Sequence, residues 1–270
     1  MTIVRTAAEL RAMVERQGTA RVGFVPTMGA LHAGHVALIE AARAECQVLV
    51  TSLFVNPKQF NDPNDLVRYP RQEPEDARAA AEAGTDVLFA PPVEEIYPPG
   101  HATVVQLAGA AVGFEGAFRP NHFEGVATVC LILFNLVRPQ LVYFGQKDAQ
   151  QVAVIRQLVR DLALPIEIRV HPTVRDPDGL AMSSRNARLS REERAQALAI
   201  PRALRAAVAA YRLGEDPVAA AGLELAALRT DYVDLASFGG GPTLVVAAYA
   251  GATRLIDNVP LDQPALAGLA

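Results

Sequence analysis

The feature that most constrains the fold is an alternation of short apolar runs with helical segments along the first 174 residues. RVGFVP, QVLVTSLFV, TDVLFAPP, QLVYFG and IEIRVHPTV are near-continuous apolar stretches closed off by turn-forming or polar residues. Between them stand VALIEAARAEC, EPEDARAAAEAG, a stretch from about Phe123 to Leu136, and DAQQVAVIRQLVRDL, all of helical character. Strands apolar on both faces, joined by helices about a dozen residues long, build βαβ units with a parallel sheet covered on both sides. The spacing predicts a Rossmann-like α/β domain over residues 1–174. An additional short helix is expected at the start, where Thr6 and Glu9 form a capping pair and Gly18 marks a stop.

After Val174 the pattern changes. RDPDGLAMSSRNARLS is polar and punctuated by Gly and Pro. It leads into Ala-rich helical segments (191–211 and 217–229) and two strand-like runs, DYVDLASF and PTLVVAAYAG, separated by GGG. A smaller α+β C-terminal domain, acting as a lid, is expected over residues 175–270. With 270 residues, 51% hydrophobic and only 20% charged, the chain has enough apolar surface for two cores, which excludes a disordered protein. A net charge of −4 and scattered positive residues exclude a nucleic-acid-wrapping surface. The N-terminal segment carries charges throughout, and no apolar run approaches the roughly 18 residues that a membrane span needs. A soluble, cytoplasmic protein is expected. Cys46 and Cys130 lie in apolar helical patterns, as suits buried thiols rather than a disulfide or a metal site.

In open parallel sheets ligands bind beyond the carboxyl ends of the strands, and four segments stand at loops where such a ligand would be met. The first is TMGALHAGH, after RVGFVP. Gly34 permits close backbone approach, and His35 is expected at or near the first helical position, where exposed N–H groups favour an anion. His32 and His35, three apart, read as phosphate ligands, as a helix cap on the surface, or as a pair of metal ligands; no adjacent Cys or acidic residue completes a metal set. The second is FVNPKQF, whose Asn56 and Gln59 are amides suited to a hydroxyl and a carboxylate, although Asn-Pro also marks an ordinary turn. The third is YFGQKDAQQ, where Gly145 gives backbone access, Lys147 a point charge for phosphate, and Asp148 either a cap or an acceptor for ribose hydroxyls. The fourth is DGLAMSSRN, whose hydroxyls and arginine suit a triphosphate on a loop able to close over a ligand, or form a plain Ser-rich linker. Taken together, the four point to a nucleoside triphosphate site with an adjoining pocket for a polar substrate.

These segments, with RPNHFEGV and TRLIDN, stand in order and at family-like spacing over nearly the whole chain. The sequence resembles the pantoate–β-alanine ligase family of the HxGH nucleotidylyltransferase superfamily. The resemblance implies a two-step reaction. Pantoate attacks the α-phosphate of ATP to give pantoyl adenylate and pyrophosphate, and the amine of β-alanine then displaces AMP to form the amide. It further implies that Met28, Gly29, Ala30, Leu31, His32, Ala33, Gly34 and His35 line the ATP site, with His32 and His35 on the phosphates. Gly145, Gln146, Lys147 and Asp148 match the ribose and phosphate loop, Val174 the adenine contact, and Met182, Ser183, Ser184 and Arg185 a flexible KMSKS-like loop. Gln59 and Gln151 match the glutamines that hold pantoate, with Asn56, Met28 and Arg119 beside them. Mg²⁺ is expected through the ATP phosphates rather than through protein ligands, and a homodimer is expected from the family alone. Lys58 stands where relatives more often carry an apolar or small residue.

The implied chemistry is consistent with these residue types. Displacement at phosphorus builds negative charge on oxygen, so catalysis rests on electrostatic stabilisation and positioning. Pantoate's carboxylate is already a nucleophile at neutral pH, so His35 is expected to act as a hydrogen-bond donor to phosphate and not as an obligatory proton shuttle. Another HxGH nucleotidyltransferase would share the histidines, but would need more Arg and Lys for a second phosphorylated substrate. A tRNA synthetase fragment would need a tRNA-binding surface, and a silent nucleotide-binding module would have lost phosphate-contacting residues.

Overall fold

The computed structural model describes residues 1–262; residues 263–270, at the end of the expected second domain, lie outside the described residues. Contacts divide the chain into two compact units. The first comprises residues 1–144 and 150–171, the second residues 145–149 and the chain from Pro172 on.

In chain order the first unit is β1 (Thr2–Val4), α1 (Ala7–Glu15), β2 (Val22–Thr27), α2 (Ala33–Glu45), β3 (Val48–Leu53), α3 (Pro63–Arg68), α4 (Glu73–Glu82), β4 (Val87–Phe89), α5 (Val93–Ile96), α6 (Phe114–Phe118), α7 (His122–Val137), β5 (Leu141–Gly145), α8 (Ala149–Asp161) and β6 (Glu167–His171). The strands form one six-stranded sheet in the order β1-β4-β3-β2-β5-β6. The β1/β4, β4/β3, β3/β2 and β2/β5 pairs are parallel, with Val22 to Thr27 running opposite Val48 to Leu53. The five strands expected from the sequence are all present. The sixth, β1, was not foreseen: its three residues, TIV, are followed at once by Arg5, so no apolar run stands out there.

Strand order explains where ligands can bind. From β2 the chain winds outward through β3 and β4, then returns to place β5 on the other side of β2. That reversal is a topological switch point, beyond whose carboxyl ends α/β sheets bind ligands. The segments leaving β2 and β5 are 28–35 and 146–151.

Helices cover both faces of the sheet. Phe24, Val50, Phe89 and Ile155 are fully buried on one side, with Val137 of α7, while Val25, Leu49, Leu88 and Ile39 of α2 pack on the other. Each such side chain contributes about 1.5–3 kcal/mol relative to exposure. Both cysteines are buried and unpaired, and burial pushes the Cys130 thiol up to about 12. α1 starts where expected, with Thr6 and Glu9 closing a capping box, but ends at Glu15, before Gly18.

The second unit contains α9 (Arg191–Ala197), α10 (Ala199–Leu213), α11 (Pro217–Leu225) and an antiparallel sheet β7-β8-β9 (Arg229–Ser237, Pro242–Ala250, Thr253–Pro260). Its own core joins Leu180, Ile200, Leu204, Leu244 and Val246. The α+β class is as expected. β9 was not foreseen, because TRLIDNVP carries Arg, Asp and Asn among its apolar residues. Asp257 can be buried there because Arg175 meets both of its oxygens, at 2.6 and 3.1 Å, so its charge is paired and hydrogen-bonded.

Candidate functional site

In the first unit the segment after β2 is shaped by its backbone. Gly29 (φ +82°) and Ala30 (φ +53°) are both left-handed, a conformation that costs a non-glycine residue roughly 1–3 kcal/mol. Asp76 of α4 holds the segment there. Its carboxylate, 3% exposed, accepts Ala30 N–H at 2.9 Å and Leu31 N–H at 2.7 Å. A β-carbon on Gly29 would lie 2.9 Å from the same carboxylate.

This turn delivers His32 as the N-cap of α2. Its Nδ1 accepts Gly34 N–H at 3.1 Å, and His35 Nδ1 accepts His32 N–H at 3.3 Å, a reciprocal capping box made of two imidazoles. His35 is thus the third helical residue, deeper in the helix than expected, because the His32 side chain starts the helix at Ala33. The two rings lie 4.1 Å apart, centroid to centroid. A neutral imidazole that accepts at Nδ1 carries its proton at Nε2, so capping makes both rings Nε2–H donors beside the positive end of a helix. The cap and the phosphate ligand, set out above as alternatives, are therefore compatible: capping through Nδ1 turns the other edge into the donor that an anion requires. Among the described residues no group of three His, Cys, Asp or Glu could hold a metal ion.

After β3, a single 3₁₀ turn (Pro57–Gln59) presents Asn56 and Gln59, both buried. Asn56 is saturated. Its Nδ2 donates to Gln59 Oε1 (2.9 Å) and Gly125 O (3.0 Å), while its Oδ1 accepts Lys58 N–H (3.2 Å) and the Tyr97 hydroxyl (2.8 Å). Burial pushes the Tyr97 phenol far up, so it remains a protonated donor. Arg119 Nη2 reaches Gln59 O at 3.4 Å, His122 Nδ1 lies 2.9 Å from the same carbonyl, and Arg119 also pairs with Glu115 at 3.5 Å. Lys58, far from pointing into solvent, lies 4.4 Å over the Tyr97 ring with its amine 3.0 Å from His101 Nδ1. Of the adjacent glutamines on α8, Gln150 is committed to Glu115 N–H and the carbonyls of Ala110, Val112 and Gly113. Half-buried Gln151 makes no side-chain hydrogen bond recorded among the described residues, and Met28 is half-buried too.

The second unit gathers the other set. Lys147, Ser183 and Arg185 line one shallow cleft with Ala181, Arg254 and Asp257. A 3₁₀ turn (Gln146–Asp148) carries Lys147, whose amine is 3.7 Å from Asp148. Asn258 of β9 pins this turn, donating to Gln146 O at 2.9 Å and Lys147 O at 2.8 Å. Ser183 caps the turn Ser184–Arg188 by accepting Arg185 N–H at 3.2 Å, which leaves its own O–H to donate. Met182 N–H donates to Val174 O at 3.0 Å, tying the two ends of the segment. Leu180, Ile200 and Leu255 complete an apolar wall, against which Lys147, Arg185 and Arg254 are the cations; Arg254 is paired with Asp231 at 2.7 Å, and Asp257 with Arg175.

Sequence patterning did not single out Asp76, Tyr97, Asn258 or Arg254. Asp76 follows Glu73 and Glu75 in the first turn of α4, where acidic residues are expected for the helix dipole alone, so nothing marked one of them as buried.

A model described as pantoate-beta-alanine ligase matches residues 2–260. The pantothenate synthetase of Herpetosiphon aurantiacus is 48% identical over 276 residues, covering 96% of this chain and 99% of that protein. The crystal structure of pantothenate synthetase from Thermus thermophilus superposes with a TM-score of 0.91 at 47% identity, covering 97% of this chain and 99% of the other. The pantoate-beta-alanine ligase of Francisella tularensis, solved in complex with beta-gamma ATP and beta-alanine, gives 0.82 at 35% identity, over 97% of this chain and 98% of that one.

Proposed function

The chain belongs to the pantoate–β-alanine ligase family and joins pantoate to β-alanine in an ATP-dependent reaction; we propose that it does so through a pantoyl adenylate, releasing pyrophosphate and then AMP. The observation that carries this mechanism is the imidazole capping box. Two Nε2–H donors at the start of α2 suit the oxygens of a phosphoryl group under attack, and neither ring offers Nδ1 as a base. None is needed, because pantoate's carboxylate is ionised at neutral pH.

In the first unit, Met28 to His35 contact ATP, with His32 and His35 on the phosphates. Gln59 and Gln151 hold pantoate, Met28 lies against it, and Asn56 and Arg119 support Gln59. In the second unit, Gly145 to Asp148 serve the ribose and phosphates through Lys147. Val174 packs on adenine, and Met182, Ser183, Ser184 and Arg185 contact the phosphates. The gathering of Lys147, Ser183 and Arg185 along one cleft of the second unit supports these assignments. Mg²⁺ enters as part of the nucleotide substrate, held mainly by the ATP phosphates, in keeping with its reluctance to shed water for an all-protein cage. No helix among the described residues is long and apolar enough to cross a membrane. On family grounds we assign the enzyme to the cytoplasm and to a homodimer, with residues 175–270 as the lid.

The test is release of AMP and pyrophosphate from Mg·ATP with pantoate, before and after β-alanine is added. Pyrophosphate formation with pantoate alone, followed by AMP release that requires β-alanine, with pantothenate identified by mass spectrometry, is the expected result. AMP release that needs no pantoate would overturn the mechanism.

A further inference from the structure

Gln59 has two chemically opposite faces, an acceptor oxygen and a donor NH₂, and which one meets the substrate decides what it can recognise. The structure settles this through groups whose polarity is not in question. A backbone N–H, that of Lys58, donates to Asn56 Oδ1 at 3.2 Å, and a backbone carbonyl, that of Gly125, accepts from Asn56 Nδ2 at 3.0 Å. Those two contacts allow only one orientation of the Asn56 amide. The Tyr97 hydroxyl, which burial keeps protonated, adds a second donor to Oδ1 at 2.8 Å. The remaining Asn56 N–H then points at Gln59, which must turn its oxygen inward to accept it, at 2.9 Å. Asn56 is 1% exposed and has no lone pair or proton left for a ligand.

We infer that Tyr97 and Asn56 form a polarity relay that fixes the Gln59 amide with its NH₂ outward, making Gln59 a selector for an oxygen acceptor. Both are positioning residues, and the relay rests on the assignment of Gln59 to pantoate. The outward NH₂ donates to a carboxylate or hydroxyl oxygen of that substrate. Lys58, 4.4 Å over the Tyr97 ring, holds the ring that supplies the relay's hydroxyl.

Asn56→Asp replaces the inward donor by an acceptor, so Gln59 gains by turning its NH₂ inward and presenting its oxygen to the substrate. Tyr97→Phe removes one anchor and keeps the ring. Steady-state KM for pantoate and for ATP are measured on both variants and on Gln59→Ala, with thermal midpoints as a control on folding. The expected result is a rise in pantoate KM of at least tenfold in Gln59→Ala and Asn56→Asp and of about threefold in Tyr97→Phe, with ATP KM within twofold of wild type throughout. If Gln59→Ala raises pantoate KM while Asn56→Asp and Tyr97→Phe do not, the relay is wrong and the Gln59 assignment stands. If Gln59→Ala leaves pantoate KM unchanged, the assignment falls and the relay with it. Equal rises in both KM values would show a general distortion and also overturn the relay. Should Asn56→Asp fail to fold, Tyr97→Phe decides by the same criteria.

Discussion

His35 and Asp76 show how one side chain can set the chemistry of a segment. His35 is both a capping acceptor at Nδ1 and a donor at Nε2, so His35→Gln retains an acceptor but loses the rigid second edge. A fall in kcat of more than tenfold is expected, which corresponds to more than about 1.4 kcal/mol of transition-state stabilisation; a smaller change in stopped-flow pyrophosphate release would make the histidine's role minor. Asp76 holds two amides of a left-handed turn. Asp76→Ala leaves both N–H groups without their acceptor, at about 1–3 kcal/mol each. Urea unfolding should therefore show a loss of roughly 2–6 kcal/mol, accompanied by a raised KM for ATP. The two histidines were legible because their spacing and their place after a strand are local facts. Asp76 was not, because its partner amides lie 45 and 46 positions away and nothing in EPEDARAAAEAG separates a buried carboxylate from an exposed one.

At the scale of elements, the clearest constraint is the approach of α7 to the turn that carries Gln59. Gly125, in the first turns of α7, lies so close that an added β-carbon would sit 2.3 Å from Lys58 O and 2.8 Å from Gln59 N, both backbone atoms. Neither can swing aside as a flexible side chain would. Gly125→Ala should therefore force helix and turn apart at about 1–3 kcal/mol and shift Gln59, raising KM for pantoate more than KM for ATP. Unchanged stability and pantoate KM would mean that the helix adjusts without moving the turn. The α7 helix itself was predictable to within a residue at each end from its apolar run, and five strands of the sheet were foreseen in place, although the runs for β3, β4 and β6 extend two or three residues past their ends. What the run could not convey was which face meets the 57–59 turn, because α7 is buried nearly all round and its apolar pattern has no polar side to orient it. The Lys58 contact was hidden for a related reason. A lysine in a turn beside a polar-substrate pocket reads as solvent-facing until the Tyr97 ring, 39 positions on, is placed beneath it.

At the scale of the whole molecule, the described residues gather in three buried clusters, two on the faces of the first unit's sheet and one in the second unit, and the division into units does not follow the chain. The change of composition after Val174 is visible in the sequence, whereas contacts assign the chain from Pro172 on, together with residues 145–149, to the second unit. A linear reading keeps the Lys147 turn with the strand that precedes it. Asn258 takes it instead, through hydrogen bonds to Gln146 O and Lys147 O across 112 and 111 positions, with Gln146 Nε2 returning one to Asn258 Oδ1 at 3.1 Å. Such a bond between distant polar residues leaves no periodic trace, so TRLIDN was recognisable as a motif without its purpose being legible. The purpose now proposed is to fix Lys147 for nucleotide. A ligand that binds only the folded state at 100 times its Kd raises stability by about 2.7 kcal/mol. If Asn258→Ala weakens Mg·ATP binding tenfold, that increment falls by about 1.4 kcal/mol. Thermal unfolding with and without Mg·ATP is therefore expected to show a ligand-induced shift in wild type that is roughly halved in Asn258→Ala. The shift given by pantoate, whose proposed contacts lie on the first unit, should remain. An undiminished Mg·ATP shift would mean that Asn258 only stabilises the fold, and the Lys147 turn would then have to be held for nucleotide by other contacts.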